Sequence, residues 1–228
     1  MNMARCCRGL KEFVEALQLH DRHERLAERL ANSVEQQKAA CERGITYIEW
    51  ALASPETSSF LRRWRLQRGL QQHQRSLRLA RHLPTAVQAD ALFNVAGAKE
   101  LLHDAAAAAD ASRALQLRLQ VRDVVGAVDA QLLLALALLL CEPPDYKGAE
   151  HACNEAQARA YTAAYDDGVV AAATNRGKVL AAQARFNEAL RAYKDALGAA
   201  KQRDAIADCE HNCSTIKARF APFRFFSF

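Results

Sequence analysis

Two stretches forty residues apart carry the same pattern of small side chains, and that repeat constrains the fold more than any single residue does. Ala149, Cys153 and Ala156 follow Tyr146; Ala189, Tyr193 and Ala196 follow Phe186, with Gly177 nine residues before that phenylalanine. Small residues at i and i+7, with a softer or aromatic one at i+4, make a helix stripe that a neighbouring helix can approach closely. Recurrence of such a stripe at a fixed period predicts a solenoid of helical hairpins, a class that more often binds proteins than catalyses reactions.

Composition agrees. Half of the 228 residues are apolar yet only 7% are aromatic, with Ala and Leu dominant, which favours helices over strands. The prolines, at 55, 84, 143, 144 and 222, fall between the helices drawn on other grounds. An all-α chain is expected. Seven irregularly spaced cysteines argue against a secreted disulfide framework. The N-terminus lacks the apolar centre of a signal peptide, and Glu12 and Glu15 argue against a mitochondrial presequence. Cys6 and Cys7 have no second anchoring signal nearby. The longest apolar run, Leu132 to Cys141, is ten residues, too short to span a bilayer. A soluble, cytoplasmic setting is therefore expected.

Residues 1–83 read as an N-terminal region of four helices. The first aligns Leu10, Phe13, Val14 and Leu17. Asp21 and Glu24 form a variant capping box that opens a second, with Leu26, Leu30 and Val34 in line. Gly44 and Ser54-Pro55 punctuate the third, whose apolar members are Ile45, Ile48, Trp50 and Leu52; the fourth covers about Ser58 to His82. Residues 84–220 read as hairpins pairing 85–103 with 105–120, 124–141 with 146–163, and 168–183 with 186–202. A capping helix over Ala205–Arg219 follows, then a Phe-rich tail at 221–228. Asp123, Asp166-Asp167 and Asp204 stand at the joints, where a carboxylate caps the next helix.

The segment 172–204, AATNRGKVLAAQARFNEALRAYKDALGAAKQRD, resembles the tetratricopeptide repeat family in its forty-residue form. Gly177, Leu180, Phe186, Ala189, Tyr193 and Ala196 stand where that pattern wants its small and large residues; residues 124–163 match with Ala137 for the Gly and Cys153 for the aromatic. The resemblance implies a TPR-like α-solenoid with a groove lined by the first helix of each hairpin. Groove-facing positions would be Thr174, Asn175 and Lys178, then His211, Asn212 and Thr215, with Gln131, Leu134 and Leu138 in the middle repeat. The alternative is that the polar ones only solvate a helix face. The Lys, Asn and Arg of a two-carboxylate clamp are not distributed over three repeats, which argues against a heat-shock cochaperone.

Thr57–Ala89 carries Arg62, Arg63, Arg65, Arg68, Arg75, Arg78 and Arg81 and no acidic residue or lysine. Its charge exceeds the +5 of the whole chain, so it is a candidate polyanion-binding segment, with Trp64 available for stacking. The alternatives are a solvated helix with its arginine stems packed on neighbours, an acidic protein surface, or nucleic acid. In the tail, Phe223, Phe225, Phe226 and Phe228 either fold back or dock on a partner as an anchor. Cys209, His211 and Cys213 do not share one helix face, so no metal site is expected. No phosphate loop, nucleophile elbow or zinc-protease motif is present in the sequence, so neither catalytic residues nor a cofactor are assigned.

The sequence thus points to a noncatalytic interaction scaffold that joins subunits of a larger assembly. By analogy with the family that assembly is cytoskeletal, ciliary or microtubule-associated, with acidic tails such as those of tubulin on the basic helix. The alternative is a nucleic-acid-associated factor contacting phosphates through Arg62–Arg81.

Overall fold

The computed structural model describes residues 2–54 and 58–200. Ten helices account for these: α1 (Asn2–Gly9), α2 (Phe13–Arg29), α3 (Ser33–Ala53), α4 (Ser59–Ala80), α5 (Thr85–Leu101), α6 (Ala107–Gln120), α7 (Val124–Leu138), α8 (Tyr146–Thr162), α9 (Asp166–Ala182) and α10 (Phe186–Ala199). The fold class is all-α and TPR-like, with successive antiparallel hairpins, as the sequence predicts. Packing divides the chain into two units, one ending at Arg122 and one beginning at Asp123. The boundary read at residues 83 and 84 falls within the first, at the turn from α4 to α5. The expected capping helix 205–219, Asp204 and the Phe tail lie outside the described residues.

The second unit follows the small-residue stripes. Ala149, Cys153 and Ala156 on α8, and Ala189, Tyr193 and Ala196 on α10, are all buried. Ala149, Ala152 and Cys153 pack with Ala135 of α7 and Val179 of α9, while Ala156 and Ala160 pack with Val128, Leu132, Val169 and Ala172. Asp123 and Asp145 cap α7 and α8 by accepting from the Gly126 and Gly148 N–H groups, each at 2.9 Å. Asp166 and Asp167 differ from expectation: they occupy the first turn of α9, with Tyr165 as the capping position. There they complement the positive end of the helix dipole. Gly177 is a close-approach glycine, since a Cβ there would stand 2.5 Å from Tyr193 Cε1. Gly177→Ala is therefore expected to destabilise the second unit by about 1–3 kcal/mol through overpacking, read as a lower urea midpoint by circular dichroism.

The first unit is built on another logic. α2 runs unbroken through Asp21, so the expected capping box is not a helix start; Asn32 instead caps α3, accepting from the Glu35 N–H at 3.1 Å. Leu26 (53% exposed), Leu30 (69%) and Val34 face solvent. The inward stripe of α2 is Phe13, Ala16, His20, Glu24 and Ala27. Leu10, Val14 and Leu52 are likewise exposed, whereas Ile45, Ile48 and Trp50 are half-buried. Gly44 is not a break but the middle of α3, where the His73 ring of α4 lies so close that a Cβ would meet it at 2.4 Å.

Charge pairs supplement an interior built mostly of alanines. The buried Glu24 carboxylate contacts Arg43 of α3 and Arg75 of α4, the latter at 2.6 Å and without hydrogen-bond alignment; Arg75 also reaches Glu28 at 2.9 Å. The buried Glu42 carboxylate accepts from Arg5 and from Arg8, the latter at 2.7 Å. Gln37 donates to the Ser76 hydroxyl at 3.0 Å. Partners from different helices satisfy buried polar groups that would otherwise be costly.

Six helices end on a residue with left-handed backbone, Lys11, Ala31, His103, Arg122, Ala164 and Ala184, at φ between 50° and 63°, and none of the six is glycine.

Candidate interaction site

α4 starts at a Ser58 cap, which accepts from the Leu61 N–H at 3.4 Å, and carries all seven arginines of the basic segment except Arg81, its C-cap. Helical geometry sends them in different directions, and the structure sorts them by partner. Arg75 is held by Glu24 and Glu28. Arg65 lies over the Trp50 ring, 4.1 Å from its centre, and donates to the Trp50 carbonyl at 3.4 Å. Arg68 sits 5.5 Å from the Trp64 ring centre and donates to Gln71 at 3.2 Å, so the stacking role expected of Trp64 is taken up within the helix.

The remaining four arginines line two cavities of the first unit. Arg62 and Arg63 border a cavity of about 430 Å³ with Ser59, Leu66, Leu101, Leu102 and His103. Arg78 and Arg81 border one of about 250 Å³, together with Arg113 of α6 and a floor from Leu77, Leu92 and Leu117. Among the described residues no carboxylate lines either cavity. Sequence reading missed Arg113, one of two arginines in the alanine-rich α6; its spacing to Leu117, one helical turn, was the available signal.

In the second unit the groove positions fall on α9. Lys178 is exposed and Thr174 half-buried. Asn175, also read as a groove position, donates to the Leu132 carbonyl of α7 at 3.4 Å. In the middle repeat Gln131 is buried, and Leu134 and Leu138 are half-buried. His211, Asn212, Thr215, Phe223, Phe225, Phe226 and Phe228 lie outside the described residues, as do Cys209 and Cys213.

Titratable groups in the first unit are strongly perturbed. Burial pushes His20 and His73 down to about 4. Burial pushes Cys41 up to about 11 and, in the second unit, Cys153 up to about 12, so both are thiols rather than thiolates at neutral pH. Burial opposes ionisation of Glu42, but the hydrogen bonds from Arg5 and Arg8 outweigh it and hold that carboxyl below its usual range. Among the described residues no three His, Cys, Asp or Glu side chains are grouped to hold a metal, and no helix is long and apolar enough to cross a membrane.

Helical hairpins of this kind define the class: a TPR-like repeat fold. No family model matches the sequence, and no curated protein matches it. Solved structures do. The crystal structure of NprR in complex with its cognate peptide NprX superposes with a TM-score of 0.64 at 16% identity, over 95% of this chain and 59% of that one. The apo form of RapI gives 0.55 at 12% identity, over 96% and 70%. At such identities the likeness is one of fold, and this chain spans 59% of the NprR chain.

Proposed function

We propose that this chain is a noncatalytic peptide- or protein-binding module of the tetratricopeptide type, in its forty-residue form. The observation that carries the reading is a helical-hairpin fold like that of NprR, a protein crystallised in complex with its cognate peptide NprX, combined with arginine-bordered cavities that no carboxylate among the described residues lines. The spacing from Ala149 to Ala189 and from Ala156 to Ala196, with all four alanines buried, supports the repeat length. Thr174 and Lys178 remain groove candidates, and the Phe tail a candidate anchor. A role in joining subunits of a larger assembly, in a cytoskeletal or ciliary setting with tubulin-like acidic tails, is the narrower form of this reading, and it rests on analogy with the family and on the basic helix. Contact with nucleic acid through Arg62–Arg81 is disfavoured because Arg65 and Arg75 are engaged within the unit.

Native affinity purification of the chain, split into nuclease-treated and untreated halves and read by mass spectrometry, tests this. The same protein set in both halves is expected. Loss of the set after nuclease would replace the reading with a nucleic-acid tether.

A further inference from the structure

The smaller cavity combines two chemistries within about 250 Å³. Its rim is cationic: Arg78 and Arg81 come from the end of α4 and Arg113 from α6, all three exposed. Its floor is apolar: Leu77 and Leu117 are half-buried and Leu92 of α5 is buried. Neighbouring arginines are neutralised, Arg118 by Asp90 and Arg75 by Glu24 and Glu28. The three rim guanidiniums have no carboxylate partner among the described residues. Like charges gathered on one cavity repel one another, and an anion entering it removes that repulsion. Planar guanidiniums favour a carboxylate, which they grip through two parallel hydrogen bonds.

Size and composition narrow the carboxylate further. An internal Asp or Glu brings its charge on a polar side chain and needs a second residue to cover the leucines. A C-terminal residue offers both features from one Cα: a free carboxylate and, if the residue is apolar, a side chain for Leu77, Leu92 and Leu117. A cavity of this volume holds about one large residue, so it suits a chain end rather than a strand passing through. We propose that the pocket between α4, α5 and α6 binds the free C-terminal end of a peptide whose last residue is apolar. The carboxylate sits on Arg78, Arg81 and Arg113, and the side chain on the three leucines. α4 and α6, the second helices of their hairpins, supply the three rim arginines, while α5, a first helix, supplies Leu92 to the floor. The proposal rests on the peptide-binding reading and assigns it a site and a ligand class.

The test uses the full chain and two bead libraries of random pentapeptides, identical except that one ends in a free carboxylate and the other in an amide. Selection from the free-carboxylate library is expected to return Leu, Ile, Val, Met or Phe at the last position. By fluorescence anisotropy, a selected peptide is expected to bind at least about tenfold more weakly once amidated, and as weakly to R78A/R81A/R113A. The R78K/R81K/R113K variant keeps the charge but not the fork, and is expected to fall between. R25A, which removes an exposed cation from α2, is expected to bind as the unaltered chain does. Equal binding of free and amidated ends, no apolar preference at the last position, or full binding by the triple alanine variant overturns the proposal. An empty selection overturns it too, while a nuclease-resistant partner set in the purification would leave the broader reading standing.

Discussion

Between pH 7 and pH 4 the first unit is expected to lose about 6 kcal/mol of stability, about 3 from each of two buried histidines. His20 and His73 are 0% and 3% exposed, and burial lowers both from 6.5 to about 4. In the unfolded chain each takes up a proton near pH 6.5; in the folded unit neither does so until about pH 4. Across that window the unfolded state holds more protons, so stability is complete above the unfolded value and declines as pH falls toward the folded one. Glu42 adds to the loss only at lower pH, because its depressed carboxyl gives up its contribution as pH falls below the ordinary glutamate range. Both tryptophans, Trp50 and Trp64, lie in the first unit, so their fluorescence reports on it alone. Urea midpoints by tryptophan emission should fall steeply from pH 7 to 5.5 to 4, and H20Q/H73Q should flatten the trend. A midpoint that stays constant over this range contradicts the assignment.

Glu24→Ala is expected to cost the first unit about 3 kcal/mol, whereas Leu26→Ala, two residues away, should cost almost nothing. Glu24 is 5% exposed and holds two guanidiniums from different helices, Arg43 and Arg75. Removing it leaves Arg43 with Asp21 and Arg75 with Glu28 as their remaining carboxylate partners, and takes away the carboxylate that ties α3 and α4 together through α2. Leu26, at 53% exposure, loses little contact on truncation. Urea denaturation of the two variants, again by tryptophan emission, should rank them opposite to the order hydropathy suggests. If Leu26→Ala proves the more damaging, the polar interior described for α2, α3 and α4 is wrong.

That inversion explains which parts of the fold were legible in the sequence. The second-unit hairpins were readable because alanines at fixed spacing and the Asp123 cap act locally. Each marks its own helix, and observed and expected bounds agree closely. In the first unit the bounds of α4, α5 and α6 were readable too, whereas the inward faces of α2 and α3 were misread because they are specified by partners remote in sequence. Glu24 is buried only because Arg43 and Arg75 meet it, and nothing within one helical turn of Glu24 signals that. Leu26, Leu30 and Val34 formed a helical stripe that in isolation reads as core. Gly44 read as a break because its role, admitting the His73 ring, belongs to another helix. The candidate pocket was half-legible for the same reason: Arg78 and Arg81 stood out as charge, but only the packing of α6 on α5 adds Arg113.

The left-handed residues at the helix ends bear on how far this chain could be hardened against heat. A Cβ in that conformation costs about 1 kcal/mol, and glycine avoids the cost at the price of a more flexible unfolded chain. Lys11, Ala31, Arg122, Ala164 and Ala184 line neither arginine-bordered cavity, while His103 borders the larger one. Glycine at those five turns would therefore raise the melting temperature without altering the lining of either arginine-bordered cavity. The turns that set thermal ruggedness and the side chains that border the cavities are separate positions, so an engineer can adjust one and leave the other as found.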